Sequence, residues 1–169
     1  MWRIVGSVST AKLSQDALSL EKTSTKEWMC AARGSKGWRA GRHSWAVRFV
    51  SGSDGISLGI ANVAPKHPKD FREIDFNNAH NNMSRRYDVY FGTCEAVTPT
   101  DERVVFDDPI QDGDVIMLCL DVSARTVHYG KDGRWMKQPV FTDLPANGLW
   151  VPYFAVQHRG CSFTVIEQA

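Results

Sequence analysis

The sequence lacks long apolar runs and carries almost no net charge. Its longest wholly apolar stretch, residues 115–120, is far shorter than the roughly 18 residues that a membrane-spanning helix needs. The formal net charge is +1 and the sequence pI is 7.7, so no strong electrostatic field gathers nucleic acid or anionic lipid. Neither nucleic acid nor a membrane is therefore expected as a partner.

Paired cysteine motifs and a secretory leader pattern are also missing. The four cysteines are far apart, and no two stand at Cys-x-x-C spacing: Cys30, Cys94, Cys119 and Cys161. The N-terminus does not show a basic segment followed by an apolar one. These features favour buried free thiols in a reducing compartment, and they predict a cytoplasmic protein with the nucleus as the alternative.

The motifs of metal sites and of common catalysts are absent as well. The five histidines include no His-Glu-x-x-His pattern, no Gly-x-Ser-x-Gly element is present, and no glycine-rich phosphate loop precedes a helix pattern. The aspartates of residues 107–114 are interrupted by Pro109-Ile110 and lack EF-hand spacing, so they are expected to cap turns. We therefore predict no metal, no cofactor and no enzymatic activity.

Strand patterns fill most of the chain, and the clearest lies at residues 110–134. There Val115–Leu120 is apolar at every position, and the β-rich run Thr126–Tyr129 follows after a turn. Apolar side chains on both faces predict a strand that is covered on both sides. The two runs together predict a β-hairpin at the centre of a sheet.

Alternation with period two predicts further strands. Residues 45–49 and 56–60 both alternate and are joined by a Gly-rich turn, which predicts a second hairpin. Residues 1–28 favour short strands with a hairpin between them, and a helix over residues 14–22 is the competing interpretation.

The later strand signals complete an all-β pattern. We interpret residues 87–97 as one strand kinked at Gly92, and Pro152 as the mark of an edge strand or a bulge. Further strands are predicted at residues 103–106, 135–141, 149–156 and 161–166. Residues 62–86 form the longest loop, which suits either a functional loop or a surface insertion. Strand signals at this density, without a convincing helix, predict an all-β sandwich.

Several of these motifs resemble, in the same order, those of SPRY domains. Gly41-Arg42-His43-Ser44-Trp45-Ala46-Val47 is similar to the family's Gly-x-His-x-Trp-x-Val signature, and residues 57–61 are similar to the strand that follows it. Residues 113–134 resemble the family's strand, aspartate, turn and strand. Residues 149–156 and 161–166 resemble its closing strands.

The resemblance covers about residues 30–166 and implies a bent antiparallel β-sandwich of two sheets. Residues 1–29 are then expected to be N-terminal strands of the same single domain, residues 1–169. Ala32-Arg33-Gly34 is most similar to the SOCS-box and F-box SPRY proteins. The implied function is a non-catalytic protein-interaction module, with substrate recognition as one role, and we expect a monomer.

In the SOCS-box group, three loops grip an acidic, Asn-containing peptide of a protein partner. By position these are the loop at Thr23–Glu27, the loop that reaches Phe71, and the loop after Ala155-Val156, which has Gln157-His158 where the group has Trp-Gly. The peptide-binding residues that the resemblance implies are Thr23, Thr25, Phe71, Val156, Gln157 and His158.

Two other functions stay open at this point. Lectins share the sandwich architecture, and Trp28, Trp38, Trp135 and Trp150 would offer rings to a sugar. A hydrolase built from scattered His and Asp residues is a weaker alternative. The basic stretch of Arg33, Lys36, Arg39 and Arg42 around Trp38 is either a solvated loop or a rim that attracts an acidic peptide.

Overall fold

A computed structural model describes residues 1–6, 10–26, 30–62, 84–90, 93–97, 109–142 and 144–169, with residues 84–90 and 93–97 described as backbone alone. The described chain forms two antiparallel sheets and a single 3₁₀ turn, Ser53–Gly55, so the predicted all-β sandwich is confirmed. No helix within the described ranges is long and apolar enough to cross a membrane.

The strands divide into sheets of six and seven. Sheet A contains, in spatial order, β1 (Ile4–Gly6), β4 (Cys30–Gly34), β12 (Trp150–Val156), β6 (Ile56–Asn62), β7 (Ser84–Tyr90) and β8 (Thr93–Val97). Sheet B contains, in spatial order, β11 (Arg134–Trp135), β10 (Thr126–Lys131), β9 (Val115–Asp121), β5 (Arg42–Ser51), β13 (Ser162–Gln168), β3 (Ser19–Lys22) and β2 (Ala11–Leu13).

Alternate side chains of each strand fill the space between the sheets. On β9 the inward side chains are Ile116, Leu118 and Leu120, each at most 1% exposed. Burying one such side chain stabilises the fold by about 1.5–3 kcal/mol relative to leaving it in water. One buried polar contact joins the two sheets, because the Tyr129 hydroxyl on β10 donates to the Leu58 carbonyl on β6 at 3.1 Å.

The predicted central hairpin is confirmed. β9 pairs with β10 from Thr126↔Asp121 to Lys131↔Ile116, and β5 flanks β9 on its other side. The turn after β10 has positive φ at both Asp132 (49°) and Gly133 (83°), as a tight hairpin turn requires. Coverage is unequal, since the outward side chain of Met117 is only half-buried.

The predicted second hairpin, residues 45–49 with 56–60, is wrong. β5 and β6 are consecutive, but β5 pairs with β9 and β13 in sheet B whereas β6 pairs with β12 and β7 in sheet A. The connecting segment begins at Gly52 with φ 65° and continues as the 3₁₀ turn, which carries the chain across the sandwich. Alternation of apolar and polar residues shows that one face of a strand is buried. Strands of both sheets bury a face in the same core, so the alternation does not show to which sheet a strand belongs.

Pro152 does not mark an edge strand, because β12 lies between β4 and β6. Pro152 pairs with Ile60 on β6, while the pairing of β12 with β4 begins one residue later, at Tyr153↔Arg33. The proline therefore stands where one ladder stops. The facing residue is Gly34, where a Cβ would lie 2.7 Å from the proline Cδ.

Three further expectations have mixed outcomes. Short N-terminal strands replace the competing helix, since β2 and β3 form a hairpin around residues 14–18. Residues 87–97 are two strands and not one, because β7 and β8 pair antiparallel up to Tyr90↔Thr93. Of residues 135–141 only Trp135 belongs to a strand, and residues 103–106 lie outside the described residues.

Candidate functional site

Three connections between the sheets meet at one end of the sandwich. They are residues 23–26, which follow β3, residues 52–55, which join β5 to β6, and residues 157–161, which join β12 to β13. We call this end, with the neighbouring residues 111–114, the loop end. The three connections come from distant parts of the chain, so the strand order alone brings them together.

Main-chain hydrogen bonds tie the loops of this end to one another. The Gln157 N–H donates to the Gly55 carbonyl at 2.8 Å. The Gly160 N–H donates to the Lys22 carbonyl at 2.8 Å, and the Lys22 N–H donates to the Cys161 carbonyl at 2.9 Å. The 157–161 connection is therefore held between the other two.

The 3₁₀ turn is held from a fourth segment by a carboxylate. Asp112 accepts the Ser53 N–H at 2.9 Å and the Gly52 N–H at 3.3 Å. Sequence reasoning correctly expected the aspartates here to cap turns, because Asp114 also accepts the Gln111 N–H at 2.8 Å. It missed that residues 52–55 belong to this end, because Gly52-Ser53-Asp54-Gly55 fits a turn within one sheet as well as a crossing between two sheets.

The structure brings most of the predicted site residues to the loop end, with different exposure. Thr23, Thr25 and His158 are exposed, and Gln157 is half-buried. Val156 is fully buried and pairs with Cys30 and Ile56, so its side chain belongs to the core and its contribution is to position the next residue. Phe71 lies outside the described residues.

Gly55 is packed tightly against the 157–161 connection. A Cβ at this position would lie 2.5 Å from the Cys161 Sγ and 2.8 Å from the His158 Cδ2. Real Cβ atoms essentially never approach other heavy atoms this closely. The absence of a side chain at Gly55 therefore allows the two loops to touch.

Burial raises the pKa of the Cys161 thiol, with a smaller raising effect from the Asp54 carboxylate and a lowering effect from Lys22. The thiol near His158 is thus neutral, although a nucleophilic cysteine acts as the thiolate. Cys30, Cys119 and Cys161 are all free and buried, as expected for thiols of the core. Among the residues that the structure describes, no group of three His, Cys, Asp or Glu side chains could hold a metal ion.

Exposed charges of both signs lie at the loop end, without an excess of cations. Lys26 and Arg159 are cationic and exposed, and Glu21, Asp54 and Asp112 are anionic and exposed. Lys22 is only 1% exposed, so its ammonium group lies below the surface. The loop end therefore presents hydrogen-bonding groups without a dominant charge.

The tryptophans considered for sugar stacking do not gather on one surface. Trp150 is buried, Trp38 is half-buried, and Trp135 is 48% exposed on an edge strand. Trp38 is already stacked on His43 with ring centroids 4.3 Å apart. Trp28 lies outside the described residues.

Comparison with solved structures identifies this fold. The TRIM65 PSpry domain superimposes with a TM-score of 0.70 at 16% sequence identity, covering 99% of this chain and 90% of that one. The chain has the SPRY-domain fold. The SPRY domain of human HERC1 gives a TM-score of 0.66 at 20% identity, with 96% and 98% of the two chains covered. No family model matches the sequence, and no curated protein matches it significantly.

Within this SPRY fold, the residues of the sequence signature belong to the sheets and not to the loop end. The signature residues Trp45 and Val47 are core side chains of β5, and Gly41 adopts a positive φ of 86° at the start of that strand. Their roles are structural, which explains why the most recognisable stretches of the sequence lie away from Gln157 and His158.

Proposed function

We propose that this chain is a non-catalytic protein-interaction module whose loop end binds a short peptide segment of a partner. The proposal rests on main-chain hydrogen bonds. They join residues 157–161 to residues 52–55 on one side and to Lys22 on the other. Exposed polar side chains stand on this frame. Loops that their own backbone already orders lose little conformational freedom when a peptide binds.

Of the acidic and Asn-containing peptides that the resemblance implies, the described side chains suit the Asn-containing kind. Among the described residues of the loop end, exposed anions are at least as many as exposed cations, which gives little net attraction for a polyanion. The Gln157 amide and the hydroxyl of Thr25 each offer donors and acceptors, which match the donor and acceptor of an asparagine amide. The imidazole of His158 adds one more hydrogen-bonding group.

Phe71 is a further proposed contact. An aromatic side chain is the residue type that most often anchors an interface, where its truncation costs about 2 kcal/mol or more. We propose that Phe71 supplies the apolar part of the site and that Thr25 and Gln157 supply the polar part.

Binding without catalysis agrees with the chemistry of the loop end. The thiol closest to His158 is that of Cys161, and burial keeps it protonated. Three buried free thiols suit a reducing, cytoplasmic setting, in which we propose that the module acts as a monomer.

The test uses peptides selected from a random display library on the wild-type protein and measured by calorimetry. The double variant Gln157→Ala/His158→Ala should lose about tenfold in affinity, since about 1.4 kcal/mol corresponds to a factor of ten. The matched control, His128→Ala/Gln138→Ala, removes the same residue types from sheet B and its edge and should bind as the wild type does. Phe71→Ala should weaken binding at least as much as the loop-end pair.

Equal affinities for both double variants would refute the loop end as the site. Failure of the library to yield any peptide, with both sheets intact by circular dichroism, would refute peptide binding as the function.

A further inference from the structure

The end of the sandwich opposite the loop end carries a concentration of exposed cations. It is built from residues 35–42, which lead from β4 into β5, and residues 121–126, which form the turn between β9 and β10. We call this the basic end. The two segments touch, because the Val122 N–H donates to the Gly41 carbonyl at 3.0 Å and Arg42 pairs with Asp121.

Within these two segments there are four basic side chains and one carboxylate, and all four cations are exposed: Lys36, Arg39, Arg42 and Arg125. None of them forms an ion pair with a described residue. The Asp121 carboxylate accepts the Ala124 N–H at 2.8 Å within its own turn. Cations that lack an internal partner keep their attraction for an external anion.

Two of the arginines are held in place through one nitrogen each. The Arg42 Nε donates to the Cys119 Sγ at 3.0 Å, and the Arg125 Nε donates to the Leu144 carbonyl. The hydrogen bond to Cys119 also raises the pKa of Arg42, so this guanidinium stays charged. An arginine has five N–H donors, and those at the tip of each guanidinium are left for a ligand.

The loop between Lys36 and Arg39 is fixed by an aromatic stack. Trp38 exchanges two main-chain hydrogen bonds with Trp150, at 2.8 and 2.9 Å. The centroid of its indole lies 4.3 Å from that of the His43 ring and 6.0 Å from that of the Trp45 ring, and both rings are nearly parallel to it. His43 is in turn held 2.9 Å from the Ala40 carbonyl. The cations are therefore presented by an ordered frame.

We infer that the basic end is a second interaction surface, distinct from the loop end, which binds an extended acidic segment of a partner protein. Strands β5, β9 and β10 are neighbours, so Arg42 and the turn of Arg125 stand about 10 Å apart, two strand spacings. An extended chain rises about 3.3 Å per residue, so carboxylates three residues apart span the same distance.

The same frame argues against nucleic acid as the ligand. Single-stranded nucleic acid gains much of its affinity by stacking bases on free aromatic faces. The Trp38 ring is already stacked on His43, and the Trp45 ring lies nearly parallel to it with the centroids 6.0 Å apart. With a net charge of only +1, the chain also lacks the broad basic field of a nucleic-acid-binding domain.

The probe for this inference is a fluorescein-labelled octaglutamate peptide, measured by anisotropy at about 0.1 M salt, where charges interact over about 10 Å. The variant Lys36→Glu/Arg39→Glu changes two side chains that hold nothing else in place, and it should weaken binding by about tenfold or more. The matched control, Lys137→Glu/Arg134→Glu, makes the same charge change at exposed positions beyond β10 and should weaken binding by less than about twofold. The loop-end variant Gln157→Ala/His158→Ala should leave octaglutamate binding unchanged, which separates this surface from the proposed peptide site.

Three results would overturn the inference. The first is an absence of octaglutamate binding, and the second is equal weakening by the two charge-reversal variants. The third is a labelled oligothymidylate of equal charge that binds more tightly than octaglutamate and is lost in Lys36→Glu/Arg39→Glu. If the charge-reversal variant does not fold, Arg39→Gln replaces it. This single substitution removes one exposed positive charge, and its octaglutamate affinity is compared with that of the same control.

Discussion

The two ends of the sandwich hold their loops in different ways. At the loop end, main-chain groups and the Asp112 carboxylate bind the connections to each other, and the exposed charges are of both signs. At the basic end, the stacked rings of Trp38 and His43 fix the loop, and the exposed charges are of one sign. The difference teaches that one fold can offer recognition by shape at one end and recognition by charge at the other.

Salt separates these two modes of recognition. Hydrogen bonds of uncharged groups act at contact distance, whereas attraction between exposed charges is screened beyond about 8 Å at physiological ionic strength. Raising the salt concentration should therefore weaken octaglutamate binding steeply and leave the affinity of a library-selected, uncharged peptide nearly constant. Equal salt dependence of the two would contradict the comparison.

The largest stability effect is expected where the loop end is packed most tightly. Gly55→Ala puts a Cβ 2.5 Å from the buried Cys161 Sγ, and we expect a loss of about 1–3 kcal/mol in the free energy of unfolding. The matched change at the basic end, Gly37→Ala, meets the Leu149 and Val151 side chains at 3.0–3.1 Å and no atom closer than that, so it should cost less than about 1 kcal/mol. Urea unfolding of the three proteins measures both changes.

A second substitution tests the cause of that loss. In the background of Cys161→Ala the nearest obstacle to the added methyl group is removed and the 2.8 Å contact with the His158 Cδ2 remains, so Gly55→Ala should cost less there than in the wild type. Costs that are equal in the two backgrounds would mean that the Cys161 sulfur is not the obstacle.

A smaller effect is expected from the carboxylates that hold the turns. Asp112→Ala removes the acceptor for the Ser53 N–H, and Asp121→Ala removes the acceptor for the Ala124 N–H, so each should cost about 1 kcal/mol. Only Asp112→Ala should also weaken binding of a library-selected peptide, because it frees residues 52–55. Asp121→Ala should instead strengthen octaglutamate binding, since it removes the carboxylate between the cations. The opposite pattern in calorimetry and anisotropy would reverse the roles of the two ends.

The smallest effect is a pH dependence in the turn of residues 14–18. Hydrogen bonds from the Ser14 hydroxyl and the Leu18 N–H lower the pKa of Asp16 below its usual value of 3.8. A lowered pKa in the folded state stabilises the fold above the unfolded-state pKa of about 3.9, and this contribution is lost as the pH falls through the folded value. Asp16→Asn should lower the melting temperature slightly at pH 7, and the difference should vanish in acid. A difference that persists at low pH would show that the charge is not responsible.

The sequence predicted which neighbouring strands pair better than it predicted to which of the two sheets a strand belongs. The hairpin of β9 and β10 was predictable because several local signals agree. The apolar run of β9 is unbroken, a short turn follows it, and Asp132-Gly133 marks the end of β10. The misassigned hairpin of β5 and β6 shows the limit of this reasoning. Alternation identifies an inward face, but nothing in Gly52–Gly55 alone tells whether the chain turns back within a sheet or crosses to the other one.

The candidate site was predicted in part. Residues 157–158 and Thr23 were placed by resemblance, and the structure brings their loops together through Lys22 and Gly160. The contribution of Asp112 was out of reach, because its partner Ser53 is 59 residues away in sequence. Contacts of this range depend on the final strand order, which local patterns do not encode.

The short outer strands of the sandwich have a consequence for how it meets other chains. Among the strands that the structure describes, β1 and β2 have three residues each and β11 has two, so three of the four outer strands offer little backbone for another strand to join. Strands of this length are poor templates for fibre growth, and a partner gains few hydrogen bonds by adding its own strand beside them. The same short strands that disfavour self-assembly therefore leave the two ends of the sandwich as the surfaces proposed for partner binding.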